Sequence, residues 1–165
     1  MEVSFFLSNF AVEKYLNMLT ITIIKNSNIF NSKCQTLVNT VNCVGVMGKG
    51  LALEIKKLYP LLFEQYKTFC DKKLIDIGKL WIYKTDTDRL ILNFPTKKHW
   101  KDSSEYDYIE QGMKKFVETY KNKNISSIAF PMLGCNNGGL NKDIVLEILT
   151  RHLIKCENLI VEIYY

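Results

Sequence analysis

The chain holds no run that approaches the roughly 18 consecutive apolar residues a membrane-spanning helix needs, so no segment reads as one. Residues 1–17 contain Phe5, Phe6, Leu7 and Phe10. Acidic Glu2 stands where a signal peptide carries positive charge, and the apolar run is short and broken. Met18 is a candidate start, with residues 1–17 an extension and residues 18–165 the domain. The five cysteines, Cys34, Cys43, Cys70, Cys135 and Cys156, are odd in number, and no two have C-x-x-C spacing. That argues against a zinc site or disulfide framework and for a reducing, cytoplasmic setting. There is no internal repeat and no low-complexity linker. The carboxylates form no catalytic pair: Asp86 and Asp88 flank a turn, and Glu54 and Glu110 read as helix surface charges. His152 lies near a helix C-terminus, where the dipole alone accounts for it.

What is present suits one globular domain: 165 residues, 47% hydrophobic and 24% charged, enough to bury a single core. The net charge of +5 favours polyanionic partners such as nucleic acid, nucleotides or phosphates without choosing among them.

Short apolar or β-branched runs alternate with helix-period segments. Strands are expected at residues 20–25, 36–40, 79–84, 89–94, 127–131 and 159–164. Helices are expected at 51–58, 61–70, 104–120 and 143–154. The break at Pro60 follows from the resistance of a pre-proline residue to the α region. In 104–120, Ile109, Met113, Phe116, Val117 and Tyr120 make one apolar face, and Ser104 with Asp107 resembles a capping box. In the last helix Ile144, Val145, Ile148 and Leu149 are expected on one side. The alternation predicts a layered α/β fold with a mixed sheet, with ligand loops at the carboxyl ends of strands.

Three loops carry candidate chemistry. The first, Asn39 to Gly50, starts with Asn39 and Asn42 and ends in glycines that lead into a helix. Glycines admit close approach of the backbone to a ligand, and the helix N-terminus favours an anion. The spacing is wrong for a P-loop, because Gly50 follows Lys49, and for a dinucleotide fingerprint, because Leu53 stands where a small residue belongs. The second, Pro131 to Leu140, is another glycine-rich strand-to-helix loop. Together they suggest two walls around a phosphate-rich ligand, although ordinary turns share this composition. The third, Asn93 to Lys101, gathers Lys97, Lys98, Lys101, His99 and Trp100 just beyond a strand end. A lysine here can act as nucleophile or proton carrier, and Trp100 beside lysines can stack a base. A solvated basic loop is the plainer reading. Cys43 and Cys135 read as packing residues.

Taken together, VNTVNCVGVMGKGLALEIKKLYP, NFPTKKHWK and AFPMLGCNNGGLN resemble the macrodomain family over most of residues 19–165. The resemblance is to its branch of DarG-type DNA ADP-ribosyl glycohydrolases and terminal ADP-ribose protein glycohydrolases. It implies a three-layer α/β/α fold with a mixed central sheet, and ADP-ribose as ligand. It implies Asn28 and Ile29 at the adenine, where many macrodomains have glycine-aspartate. Gly48, Lys49 and Gly50 would line one side of the diphosphate, with Val46, Met47 and Thr96 also at the ligand. Gly134, Cys135, Asn136, Asn137, Gly138, Gly139 and Leu140 would line the other. Asn39 and Asn42 would orient the distal ribose, with Asn39 counted among the catalytic set. Lys97 would carry the reaction, and His99 would position the target base or carry a proton. No metal or cofactor is implied. Protein-directed members use an aspartate in the second loop at about Gly138, which turns the expectation towards thymidine-linked ADP-ribose on single-stranded DNA. The implied partner is a DNA ADP-ribosyltransferase toxin, and the chain is expected to be a monomer. A protein-glutamate glycohydrolase and a non-catalytic ADP-ribose reader are the alternatives.

Overall fold

The computed structural model describes residues 18–165; the expected extension, 1–17, lies outside the described residues. The chain order is β1 (Leu19–Ile24), a single 3-10 turn (Ile29–Asn31), β2 (Thr36–Asn42), α1 (Gly50–Leu58), α2 (Pro60–Asp71), β3 (Trp81–Lys84), β4 (Leu90–Lys97), α3 (Tyr106–Thr119), β5 (Ser127–Pro131), α4 (Lys142–Leu153) and β6 (Leu159–Tyr164). The six strands lie in the order β1-β6-β5-β2-β4-β3. All neighbours pair in parallel except β3, which runs antiparallel to β4. The sheet is therefore mixed, with its parallel core covered on both faces, as crossover helices require.

Side-chain alternation divides the core. On one face Val38, Leu92, Phe94, Ile128, Phe130 and Val161 pack with Ile109, Met113 and Phe116 of α3 and Val145, Ile148 and Leu149 of α4. On the other, Leu37, Val41, Ile91 and Ala129 pack with Ile55 of α1 and Leu62, Tyr66 and Cys70 of α2. The result is the three-layer α/β/α arrangement. Gly112 lets α3 settle on the sheet: a Cβ there would stand 2.1 Å from the Phe94 ring.

Five expectations need correction. β4 runs on through Pro95 and Thr96 to Lys97, so Lys97 ends a strand rather than occupying a free loop. Pro95 fits because the missing N–H falls near the end of the ladder. Ser104 does not cap α3; Glu105 is its N-cap residue, without a side-chain bond, and the buried Ser104 hydroxyl has no partner among the described atoms. Ile144 faces outward, 44% exposed, in the first turn of α4 beside its cap. Glu110 is not a free surface charge: its carboxylate accepts a bond from Arg151 and meets His152 Nε2 at 2.5 Å, tying α3 to α4. His152 is 7% exposed, so this pairing, and not the helix dipole alone, accounts for it.

Burial alone would raise the Glu110 pKa, but the bonds from His152 and Arg151 outweigh it and hold the carboxyl below its ordinary value of 4.5. A carboxyl with a depressed folded pKa adds stability that is fully present above the unfolded pKa. That stability is lost as pH falls through the folded value. Urea unfolding of the wild type is therefore expected to weaken below about pH 4.3, and Glu110→Gln is expected to flatten that part of the profile. Identical pH slopes in the two proteins would contradict it.

Candidate functional site

A cleft of about 1140 Å³ opens at the carboxyl ends of β2, β4 and β5. The pairing of β2 with β4 sets its floor. Their register shifts between Val41 and Asn42, where β4 carries the extra residue Thr96, and Asn42 comes opposite Lys97.

Asn42 organises the first loop. Its Oδ1 accepts from the N–H groups of Val44 (3.1 Å) and Val46 (3.3 Å), and its Nδ2 donates to the Val46 carbonyl at 2.7 Å. The Tyr66 hydroxyl of α2 lies 2.7 Å from the Asn42 carbonyl and 3.0 Å from Oδ1. The loop is also pinned to the third: Cys43 N–H donates to the Lys98 carbonyl at 3.1 Å, and its thiol to the Lys97 carbonyl at 3.3 Å. The loop then enters α1, whose N-cap residue, Lys49, makes no side-chain bond. An uncapped helix leaves its first N–H groups without partners. Here Gly50, Leu51 and Ala52 of that turn line the cleft, which is the arrangement that holds an anionic group. The N-terminus of α4, by contrast, is closed by Asn141, whose Oδ1 accepts from Asp143 and Ile144.

The second loop forms the opposite wall. Gly134 and Gly139 have φ of +71° and +79°, and Leu140 N–H closes the turn on the Gly134 carbonyl at 3.0 Å. Ser104 braces it from below: its N–H donates to the Gly138 carbonyl at 2.9 Å. A Cβ on Gly138 would stand 2.1 Å from Ser104 Oγ and 2.3 Å from the Gly134 carbonyl oxygen. The two walls approach where Asn137 Nδ2 lies 3.2 Å from the place of a Gly50 Cβ.

From the end of β4 the Lys97 ammonium reaches across, donating to the Asn137 carbonyl and, at 3.4 Å, to the Trp100 carbonyl. It thus joins the third loop to the second beside the cleft that all three line.

Of the expected site residues, Asn42, Val46, Gly48, Lys49, Gly50, Thr96, Lys97 and the segment Gly134–Gly139 line this one cleft. Six others are not in its lining. Asn39 is fully buried and donates to Asn93 Oδ1 at 2.9 Å. Asn28 caps the 3-10 turn, accepting from Phe30 N–H at 3.0 Å, and Ile29 is buried in the core beside it. Met47 is buried with Ile55 and Tyr66, and Leu140 packs against the other core. His99 stacks on Trp100, and its Nδ1 accepts from Lys101 N–H at 3.2 Å. Leu51, Ala52, Asp102 and Ser103 line the cleft from outside the three expected loops, and Thr40, Val41, Pro131 and Met132 line it from within the first two, though none was singled out as a ligand residue. The signal for Leu51 and Ala52 was available, since they are the first turn of the helix after the glycine loop.

The cysteines of the site are not thiolates. Burial, with Asp76 and Cys70, pushes the Cys43 thiol up to about 11 against the pull of Lys98. Burial likewise raises Cys135, opposed by Lys142. All five cysteines are free. Among the described residues no group of three or more His, Cys, Asp or Glu is placed to hold a metal ion, and no helix is long and apolar enough to cross a membrane.

A covered mixed sheet with two glycine-rich loops at its carboxyl edge defines a class, and the Macro domain model matches residues 38–149; the chain belongs to the macrodomain family. It is 43% identical over 119 residues to the DNA ADP-ribosyl glycohydrolase of Mycobacterium tuberculosis, covering 70% of this chain and 34% of that protein. The solved macrodomain of M. tuberculosis DarG superposes with a TM-score of 0.84 at 38% identity, covering 88% of this chain and 97% of that one. A second relative is the DNA ADP-ribosyl transferase-DNA ADP-ribosyl glycohydrolase fusion protein of Thermosipho africanus, 38% identical over 171 residues, 93% of this chain and 43% of that protein. The structure of T. africanus DarTG in complex with ADP-ribose matches with a TM-score of 0.83 at 39% identity, covering 89% of this chain and 42% of that one. The chain thus spans about a third of the first curated relative and less than half of the second.

A thiol raised from 9.0 to about 11 has a thiolate fraction near neutral pH about a hundredfold below an ordinary cysteine. Alkylation of Cys43 by iodoacetamide at pH 7.5, followed by peptide mass spectrometry, is expected to be slower by about that factor. A rate equal to that of a free thiol would reopen a nucleophilic role.

Proposed function

We propose that this macrodomain binds ADP-ribose in the cleft and hydrolyses its bond to a thymidine base of single-stranded DNA, with Lys97 as the reacting side chain. The observation that carries the reading is the placement of the Lys97 amine at the end of β4. There it is held by two carbonyls between the second and third loops. The uncapped first turn of α1 and the backbone of the second loop are donors for the diphosphate. With the diphosphate between them, the distal ribose lies towards Lys97.

Hydrolysis breaks the bond between the anomeric carbon and the base nitrogen. Water gives its hydroxyl to ADP-ribose and a proton to the base. Two routes use the amine: direct attack on the anomeric carbon, with water resolving the covalent intermediate, or proton transfer that opens the sugar ring. Asn42 and Asn39 act from behind, the first by shaping the loop and the second by holding β2 to β4. For Asn28 and Ile29 the adenine remains the proposed contact, outside the lining of the cleft itself.

DNA is favoured over a protein glutamate ester by Gly138. The aspartate that related protein-directed enzymes use at about this place has no room here beside Ser104 and the Gly134 carbonyl. The names of the relatives point the same way. A DNA ADP-ribosyltransferase, fused to the T. africanus relative, is the partner class that makes such a substrate. The protein would act on it as a monomer in the cytoplasm.

Wild type is expected to release ADP-ribose from thymidine-modified single-stranded DNA. Lys97→Ala is expected to lose roughly 10²–10⁴-fold in turnover while still binding ADP-ribose by calorimetry. Full activity in the variant would remove Lys97 from the chemistry. A wild type that binds ADP-ribose without turnover on DNA would leave a reader or a different linkage.

A further inference from the structure

The two tryptophans of the chain sit in opposite circumstances. Trp81 packs edge-on between Phe69 and Tyr83. Trp100, in the loop between β4 and α3, is 49% exposed and lines the cleft. An indole contributes to a core by being buried, and this one is not; yet it is held. His99 stacks on it, with ring centroids 5.5 Å apart and 29° between planes. Its carbonyl accepts from Lys97 Nζ at 3.4 Å. The backbone of Trp100 is therefore tied to the reacting amine three residues away, and its ring, stacked on His99 and half exposed, is available as a contact surface.

Its surroundings are cationic. Lys101 Nζ lies 5.1 Å from the indole centroid, and Lys98 Nζ lies 5.7 Å from the Tyr108 ring. Asp102 and Glu105 on the same loop offset part of this charge. An aromatic plane beside mobile lysines is the combination that takes single-stranded nucleic acid, with a base on the ring and the backbone phosphates on the ammonium groups. Lys101 is long and flexible, so an incoming base displaces it from the ring towards a phosphate. We propose that Trp100 is a stacking platform for a base of the single-stranded DNA substrate, with Lys98 and Lys101 engaging the adjacent phosphates. Trp100 is thus a specificity residue for the nucleic-acid part of the substrate. This rests on the functional reading above, because the group attached to the anomeric carbon leaves the cleft past Lys97, on the side where Trp100 stands.

The test has two arms. In the first, KM for a thymidine-ADP-ribosylated oligonucleotide and Kd for free ADP-ribose are measured for wild type, Trp100→Ala and Trp100→Phe. Trp100→Ala is expected to raise KM about tenfold, the scale of one lost base stack. Its loss of affinity for free ADP-ribose is expected to be several-fold smaller, and Trp100→Phe is expected to recover most of the KM. Equal losses on both ligands would make Trp100 a wall of the ADP-ribose site and overturn the proposal, as would an unchanged KM. In the second arm, an unmodified eight-nucleotide oligothymidylate is titrated into a Trp81→Phe protein, in which Trp100 is the remaining tryptophan and is excited selectively over the tyrosines. Saturable quenching that weakens with salt is expected. Quenching without any hydrolysis by wild type would sink the hydrolase reading and keep the platform. Hydrolysis with neither quenching nor a KM effect would sink the platform and keep the hydrolase.

Discussion

The parallel pairing of β2 with β4 is the constraint on which the site depends. These two strands are central, buried on both faces, and joined by a buried amide contact, Asn39 Nδ2 to Asn93 Oδ1 at 2.9 Å. Losing one partner of such a contact strands the other in a low-dielectric interior, at a cost on the order of 1–3 kcal/mol. The single irregularity in their register falls at the end of the pair and sets Asn42 opposite Lys97. From there each residue governs a loop. Asn42 shapes the first through three bonds to its backbone. Lys97 reaches the second through the Asn137 carbonyl.

The walls of the cleft differ in how they are held. The first loop is shaped from within by Asn42 and from behind by Tyr66, and it ends in a helix left uncapped. The second is held by glycine geometry and by Ser104 pressing on Gly134 and Gly138. The first wall is shaped without side-chain charge, and the second takes one charged contact, from Lys97 to the Asn137 carbonyl. Glycines supply part of the lining on both walls, and backbone N–H groups presented to a ligand are preorganised dipoles that need little reorganisation to receive an anion. Of the lysines that line the cleft, Lys49 stands at the end of the first loop and Lys97 and Lys101 at the third.

Much of this was legible in the sequence because it depends on local rules. The strand at 159–164 and the break at Pro60 fall where patterning puts them. The glycine-rich segments read as loops because few other residues accept their backbone angles. What failed was long-range. Asn39 looks like a ligand residue in a string of letters, but alternation in β2 turns it into the sheet interior, where its partner is 54 residues away. Ser104 resembles a cap because its spacing to Asp107 fits. Its actual environment is set by Gly134 and Gly138, about 30 residues further on. Glu110 and His152 look like separate helix residues until α3 and α4 are packed together. Lys97 lines the cleft, where its motif put it, but its place on the strand was not legible, because Pro95 reads as a strand terminator when the neighbouring ladder is unknown.

The central claim is that the cleft delivers the distal ribose of ADP-ribose to Lys97. A crystal structure of the ADP-ribose complex tests it most directly. The account predicts the diphosphate between the first turn of α1 and the Gly134–Gly139 loop. It also predicts Lys97 Nζ within about 3.5 Å of the anomeric carbon or ring oxygen of the distal ribose, the range of a reactive or proton-transferring contact. A distal ribose lying well away from Lys97, with the amine still bonded to the Asn137 carbonyl, would contradict it.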